Sequence, residues 1–184
     1  MTLAPSRPTP SSILTKDDLP ALPGRDLTTP ELLAFVRELA ARPGLWQEHV
    51  RHDAVEGEDG RHYVSLYRDA DIDVWLLCWN LEDDTGWHDH DTSAGAVAVT
   101  HGALSESRPR LGGEPVVKTV TAGGTLHFGP DHIHRMGGVA DGSVSIHAYS
   151  PPLWRMGQYS ISDSGVMRRF SVSYADELRP LTGD

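Results

Sequence analysis

Two histidines that lie two residues apart, His88 and His90, have the clearest potential for metal chemistry in this sequence. In an extended strand the side chains at positions i and i+2 leave the same face, so both imidazoles would point the same way. Neutral imidazoles bind transition metals, and two of them on one strand provide half of a metal site. The flanking Asp89 and Asp91 would point to the other face. An H-x-H pair also occurs on solvated edge strands, so the pair alone does not establish a site.

Two downstream segments offer further polar side chains at the same spacing. A Gly-Pro turn precedes His132 and His134, which share a face by the alternation argument, so either can be a third ligand. Later in the chain, Ser145, His147 and Tyr149 alternate within an otherwise apolar segment. Buried polar groups need hydrogen-bond partners, so these three indicate either a mutual network or the polar wall of a pocket.

Length and composition favour a single, turn-rich β domain. The chain has 184 residues, 18 glycines, 13 prolines and 39% hydrophobic residues, which suits one domain with a sizeable core. Its net charge is −10, and no dense Lys/Arg cluster is present. A nucleic acid or an anionic membrane surface is therefore not expected as a partner.

Cysteine usage and hydropathy favour the cytoplasm. The single cysteine, Cys78, lies in an apolar run, which predicts a buried thiol and fits a reducing compartment. No stretch approaches the ~20 apolar residues of a membrane span, and no basic segment followed by an apolar one begins the chain. We therefore expect a soluble, cytoplasmic protein.

The elements that must position these residues are a helical cap and a set of strands. Residues 1–26, rich in Pro and Ser, are expected to form a poorly ordered or surface-wrapping arm, and residues 27–184 one domain. A helical region is predicted over 28–50, where Thr28 or Thr29 caps a helix with one apolar stripe. Strands separated by glycine-containing turns are predicted over 61–175, as in an antiparallel sandwich or barrel. The candidate strands are Arg61–Arg68, Ile72–Trp79, Ala94–Val99, Ala103–Ser107, Pro115–Val120, Thr125–Phe128, Ser143–Tyr149, Gly157–Ile161 and Arg168–Tyr174.

Segments 86–102 and 123–134 resemble the two sequence motifs of the cupins. Typical cupins place a glutamate ligand shortly after the H-x-H pair, whereas this chain has Ala94-Gly95 there. That departure, with Cys78-Trp79 before the first motif and 147–152 after the second, resembles the cysteine dioxygenase family, from about Tyr63 to Gln158. The resemblance implies a mainly β fold: a single cupin domain, an antiparallel β-barrel or jelly roll, with N-terminal helices.

The resemblance further implies a three-histidine iron(II) site formed by His88, His90 and His134. His134 is preferred over His132 because the third ligand of the family directly precedes an arginine, as His134 precedes Arg135. Three neutral ligands leave the charge of a divalent ion largely uncompensated and leave coordination positions open. Both features suit a substrate thiolate and dioxygen.

The remaining implied roles concern the substrate. Ser145, His147 and Tyr149 match the family's triad, in which the tyrosine hydroxyl faces the iron and the histidine orients it. Arg68 aligns with the arginine that binds the carboxylate of cysteine, a task for which the planar guanidinium is suited. Related 3-mercaptopropionate dioxygenases carry glutamine there, so Arg68 favours L-cysteine. Animal enzymes have a cross-linking cysteine at the position of Gly95, so no thioether is expected here.

The leading hypothesis is an iron(II)-dependent thiol dioxygenase that oxidises L-cysteine with O2 to cysteine sulfinic acid. One alternative is dioxygenation of another small thiol, such as 3-mercaptopropionate, cysteamine or a cysteine derivative. Another is a cupin that binds a metal or ligand without oxidation. The sequence leaves the metal open, since imidazoles also accept zinc, copper or nickel. It also leaves the oligomeric state open, with a monomer as the simplest expectation.

Overall fold

The computed structural model describes residues 12–53, 61–81, 83–110, 112–162 and 165–173. Within these ranges the chain forms helix α1 (Thr29–Ala40), short 3-10 helices at Lys16–Asp18, Pro43–Leu45 and Gln47–His49, and a set of β-strands. The strands are β1 (Tyr63–Arg68), β2 (Asp73–Trp79), β3 (Trp87–Asp89), β4 (Ala94–His101), β5 (Ala103–Arg108), β6 (Val116–Thr121), β7 (Thr125–Phe128), β8 (Arg135–Gly138), β9 (Ser143–Ser150), β10 (Arg155–Ile161) and β11 (Met167–Ser173).

Helix α1 begins where the sequence predicts, because its first turn has a carboxylate at the right position. Glu31 Oε2 accepts hydrogen bonds from the backbone N–H and the hydroxyl of Thr28, at 2.8 and 2.7 Å. The carboxylate of Glu31 also pairs with Arg25, and Pro30 occupies the first turn without needing a donor. The apolar stripe of the helix lies against one face of a sheet and is buried: Leu32, Phe35, Val36 and Leu39.

Every strand pair in the described chain is antiparallel, and the strands form three sheets. The largest has the order β1-β2-β9-β4-β7, and the two smaller ones have the orders β11-β10-β3 and β6-β5-β8. Alternation along β9 separates two cores. Ile146 and Ala148 pack towards α1, whereas Tyr149 packs on the opposite face among the interior residues of the barrel. The prediction of a mainly β domain of antiparallel strands with helical structure before it is confirmed.

The strands that carry the histidines are shorter than the sequence pattern suggests. β3 ends at Asp89, so His90 follows its last residue, and β8, which was not predicted, begins directly after His134. An isolated antiparallel bridge joins His88 to His134, with His88 N–H donating to His134 O at 2.8 Å and His134 N–H to His88 O at 3.0 Å. Two segments distant in the chain thus place their imidazoles side by side.

Of the N-terminal arm expected over 1–26, residues 1–11 lie outside the described residues. The following residues lie on the sheet: the Leu14 N–H donates to Leu66 O at 2.8 Å, and Leu14 and Leu19 are buried in the core beside α1. The last part of the predicted barrel, from 174 onwards, also lies outside the described residues. The peptide bond between Ser150 and Pro151 is cis. No helix in the described ranges is long and apolar enough to cross a membrane.

Candidate metal centre

The imidazoles of His88, His90 and His134 converge inside the barrel. Each offers one ring nitrogen, and these three atoms lie within 4.8 Å of one another. All three residues are buried, with relative exposures of 4%, 1% and 0%. The ring of His90 stacks on Phe128, with 4.6 Å between the ring centroids, which holds it edge-on to His134. Two histidines that are close in sequence and one that is distant therefore form a compact cluster of three nitrogen atoms.

Hydrogen bonds fix which nitrogen of two of these imidazoles faces the cluster. His88 Nδ1 is 3.0 Å from the Gly86 carbonyl, which can only accept, so Nδ1 carries the proton. His134 Nδ1 is likewise 3.1 Å from the Glu106 carboxylate. His134 Nε2 and both ring nitrogens of His90 are buried without any hydrogen-bond partner in the described chain.

Burial also keeps these imidazoles neutral. Desolvation is the largest cause that lowers the pKa of His88, His90 and His134 below the ordinary value, and for the first two the lowering is large. Only a neutral imidazole has a lone pair to offer a metal ion. A buried nitrogen without a partner is costly, and one ion bound by the three imidazoles would satisfy Nε2 of His134 and one ring nitrogen of His90. The donor set therefore fits a first-row transition metal.

A cavity beside the cluster contains one guanidinium, that of Arg61. Its carbon Cζ lies 4.6 Å from the centroid of the Trp79 indole. Among the described residues that line this cavity, Arg61 is the only Lys or Arg, and none is Asp or Glu. The lining residues are Arg61, Trp75, Leu77, Thr85, His88, His134, Met136, His147, Tyr149 and Leu153. The cavity can thus hold a small ligand with an anionic group facing Arg61 and apolar atoms facing leucine and tryptophan side chains.

The polar ladder on β9 forms a hydrogen-bond chain that ends at Tyr149. The Trp79 Nε1–H can only donate, and it donates to Ser145 Oγ at 2.8 Å. Ser145 Oγ is 2.8 Å from His147 Nε2, and His147 Nδ1 is 3.1 Å from the Tyr149 hydroxyl. Burial lowers the pKa of His147 to about 3, so the ring carries one proton.

The chain of hydrogen bonds has a preferred direction. Ser145 is fully buried, and its O–H proton needs an acceptor. Because Trp79 can only donate, that acceptor is His147 Nε2, and the ring proton is then on Nδ1 and is donated to the oxygen of Tyr149. The phenolic proton of Tyr149 is thereby directed away from His147. Tyr149 also lines the cavity.

The structure places Arg68 away from the lining of this cavity. It lies at the hairpin end of β1, opposite Asp73, and its guanidinium pairs with the buried Asp73 carboxylate. It also donates to Leu153 O at 2.7 Å and packs under Trp154, 4.7 Å from the ring centroid. Of these two arginines, only Arg61 is among the described residues that line the cavity.

Arg61 could have been found from the hairpin register. Tyr63 pairs with Leu77, so a position two residues earlier lies beside Trp79, and the His62 carbonyl accepts from the Cys78 N–H at 2.9 Å. The side chains of the β2 residues Trp75 and Leu77 face the cavity. Arg61 follows the same alternation on the neighbouring segment and therefore reaches the same side.

The acidic residues near the histidines lie outside the three-nitrogen cluster. Asp89 faces away, as expected: its carboxylate accepts from the Gly157 N–H at 3.0 Å and from Arg169 Nε at 2.7 Å, and it binds the Tyr159 hydroxyl. Glu106, which sequence reasoning missed, contacts both His132 and His134.

Gly95 lies opposite Tyr149 in the β4–β9 register. A Cβ atom at this position would be 2.3 Å from Phe128 Cε2 and 3.1 Å from Tyr149 Cδ1. Phe128 thus occupies the space of any larger residue, and it is the ring on which His90 stacks. The absence of a side chain at Gly95 is therefore coupled to the placement of a candidate ligand.

The family model described as cysteine dioxygenase type I matches residues 42–162, more than half of the chain. The search of curated proteins found no match. Solved structures with a similar fold include KdgF from Halomonas sp., with 19% identity, a TM-score of 0.44 and coverage of 54% of this chain and 88% of that one. An uncharacterized conserved protein with a double-stranded β-helix domain from Klebsiella pneumoniae has 13% identity, a TM-score of 0.48 and coverage of 67% and 91%. A cupin-2 domain containing protein from Shewanella frigidimarina has 16% identity, a TM-score of 0.40 and coverage of 51% and 83%.

These likenesses to solved structures concern the fold alone. The family match and the antiparallel sheets agree with the predicted cupin domain, and that prediction is confirmed.

Proposed function

Because this chain belongs to the cysteine dioxygenase type I family, we propose that it is an iron(II)-dependent thiol dioxygenase that oxidises L-cysteine with O2 to cysteine sulfinic acid. The observation that carries the proposal is the three-nitrogen cluster of buried, neutral imidazoles on a cavity that also contains a guanidinium and a tyrosine hydroxyl. A site for ligand binding alone has no need of that combination.

His88, His90 and His134 are the residues that would hold the ion. They contribute no negative charge, so a divalent ion there attracts an anionic thiolate. Iron(II) at this position supplies binding positions for the thiolate and for dioxygen, and the redox chemistry that transfers both oxygen atoms to sulfur.

We assign the binding of the substrate carboxylate to Arg61. A guanidinium binds two carboxylate oxygens at once, and this one is held on the face of the Trp79 ring. Trp75, Leu77 and Leu153 provide apolar wall for the methylene group and exclude water from the sulfur. In this arrangement Arg68 keeps Leu153 in place by its hydrogen bond to the carbonyl and does not touch the substrate.

Tyr149 is the residue to which we assign proton donation. His147 donates to the phenolic oxygen in the tautomer argued above, so the hydroxyl proton of this cavity-lining residue points away from His147. Ser145 and Trp79 fix the tautomer of His147. They therefore influence the reaction only indirectly, by way of the hydrogen bond between His147 and Tyr149.

Anaerobic loading with iron(II), followed by O2 uptake and sulfinic acid formation with L-cysteine, tests the proposal. We expect about one O2 consumed per cysteine oxidised, with the zinc-loaded protein as the inactive matched control. His90→Ala should abolish uptake together with metal binding, since it removes one of three ligands. Iron-loaded protein that consumes no O2 with any small thiol would refute the proposal.

A second thiol remains a candidate for a specific reason. Among the described residues that line the cavity there is no carboxylate to bind the amine of cysteine. 3-Mercaptopropionate has a thiol and a carboxylate but no amine, so it would fit the same cavity lining. Turnover of cysteine, 3-mercaptopropionate and cysteamine measured side by side decides between them. A cytoplasmic location, a monomeric state and the lack of a nucleic-acid partner stay predictions.

A further inference from the structure

A buried carboxylate, that of Glu106 on β5, joins two histidines behind the three-nitrogen cluster. Its atom Oε1 lies 3.1 Å from His134 Nδ1 and 2.9 Å from His132 Nε2. Glu106 is only 7% exposed, and within the described chain its side chain forms ion pairs with no Lys or Arg. The two imidazole N–H groups are therefore the donors that stabilise this anion inside the protein.

Two imidazole nitrogens lie at hydrogen-bond distance from the same carboxylate oxygen of Glu106. A carboxylate can only accept, so both contacting nitrogens carry protons. For His134 this places the proton on Nδ1 and leaves the lone pair on Nε2, which is the buried, unpartnered nitrogen.

The three candidate ligands differ in the group that accepts a hydrogen bond from the imidazole ring. His88 donates to a neutral backbone carbonyl, that of Gly86, and His90 has no hydrogen-bond partner for either nitrogen in the described chain. Of the three, His134 alone donates to an anion. A carboxylate behind an imidazole makes it a stronger donor to a metal and fixes its orientation.

On the assumption that the proposed metal site is correct, we propose that Glu106 is a positioning residue for it: Glu106 holds His134 in the ligating tautomer, and His132 holds Glu106. The negative charge of Glu106 also compensates part of the charge of an ion bound by three neutral ligands. His132 is half-buried at the end of the 129–132 turn and stacks on Phe128, with 5.4 Å between ring centroids. It thus closes the solvent side of the carboxylate.

Glu106, His132 and His134 also form a second group with metal-like spacing. Both of its nitrogens, however, lie at ordinary hydrogen-bond distances from the same oxygen. With their protons in those bonds they have no lone pair to offer an ion. One metal per chain is therefore expected, bound on the other side of His134.

Metal binding measured without thiol or O2 tests this inference separately from the proposed function. Cobalt(II) affinity, by competition with a chelator and by ligand-field absorption, is compared for the unaltered protein, Glu106→Gln, His132→Gln and the exposed control Glu114→Gln. We expect Glu106→Gln to bind about 10–100-fold more weakly with a changed cobalt spectrum. His132→Gln should have a smaller effect in the same direction, and Glu114→Gln none.

A second readout does not depend on metal. Imidazole ¹⁵N chemical shifts of the metal-free protein should show that His134 is protonated on Nδ1. The same result is expected for His132→Gln, since Glu106 is still present in that variant. If Glu106→Gln does not fold, His132→Gln and these shifts still decide the question.

Unchanged cobalt affinity in Glu106→Gln, or a proton on Nε2 of His134 in the unaltered protein, would overturn the inference. A second equivalent of metal that is lost in His132→Gln would overturn it in favour of a second metal site. Protein that shows the Glu106 dependence but oxidises no thiol refutes the proposed function and supports this inference. Protein that binds neither cobalt nor iron overturns both.

Discussion

Exchanging two arginines for glutamine separates substrate recognition from support of the fold. Arg61 lines the cavity beside the candidate ligands, whereas Arg68 is bound by Asp73 and the Leu153 carbonyl. If the proposal is right, Arg61→Gln changes which thiol is oxidised, and Arg68→Gln changes how stable the protein is. The same chemical change at both positions makes each variant the matched control of the other.

The expected magnitudes follow from the surroundings of each guanidinium. Hydrogen bonds to a charged group contribute about 1.5–3 kcal/mol, so Arg61→Gln should lower kcat/KM for cysteine by roughly 10- to 150-fold. Cysteamine has no carboxylate for Arg61 to bind, so its kcat/KM should stay within about twofold. The ratio of the two substrates is then the quantity to follow.

Arg68→Gln leaves Asp73, which is fully buried, without its cationic partner. Breaking a buried ion pair from one side costs about 3–5 kcal/mol. For a domain of this size that corresponds to a fall in Tm of roughly 6–20 °C. At a temperature where the variant is folded, its ratio of cysteine to cysteamine turnover should match that of the unaltered protein.

Oxygen uptake with the two substrates and thermal unfolding of each variant are the required measurements. The reasoning is refuted if Arg68→Gln shifts the substrate ratio while Arg61→Gln leaves it unchanged. It is also refuted if Arg68→Gln unfolds at the same temperature as the unaltered protein.

Three further substitutions test other parts of the structure. Tyr149→Phe should keep the fold and the metal affinity but lower kcat by about 10²-fold or more, since it removes a positioned proton donor; an unchanged kcat counts against that role. Gly95→Ala should cost about 1–3 kcal/mol of unfolding free energy and weaken metal binding, because its Cβ would be 2.3 Å from Phe128; restoration by Phe128→Leu is the check, and undiminished stability contradicts the packing argument. Glu31→Gln should lower Tm at pH 7. Arg25 and Thr28 lower the pKa of Glu31 to about 2, so its contribution is present above the unfolded pKa and is lost as the pH falls through the folded one. The Tm difference between the two proteins should therefore shrink from pH 5 to pH 3, and a difference that grows on acidification would contradict it.

Local periodicity explains why much of the fold and site could be predicted. The alternation of Ser145, His147 and Tyr149 placed three polar groups on one face of a strand, and β9 has them there. The capping residues of α1 and the glycine-containing turns between strands are likewise short-range signals, and the elements they delimit lie close to their predicted bounds. Where a few neighbouring residues determine the geometry, sequence reasoning reaches it.

Arg61 and Glu106 were missed because their positions depend on pairing between distant segments. Arg61 reaches the cavity because of its register with β2. The β1–β2 register shifts between Ser65 and Tyr67, so the positions of Arg61 and Arg68 do not follow one continuous alternation. Glu106 faces His134 only because β5 pairs with β8, a four-residue strand too short to give a sequence signal. Neither relation is visible in the residues adjacent to the histidines.

The attachment of β3 has a consequence for the timing of metal uptake during protein synthesis. In the described chain the sheet partner of β3 is β10, and Asp89 is bound by Tyr159 and by Arg169 on β11. The segment with two of the three candidate ligands therefore acquires its sheet partner only after β10 has left the ribosome, although its bridge to His134 involves a segment that is synthesised earlier. A nascent chain that ends before β10 exposes His88 and His90 without the hairpin that orients them. Tight metal binding should thus depend on the hairpin of β10 and β11, and truncations within this hairpin should weaken metal binding even though every candidate ligand is present.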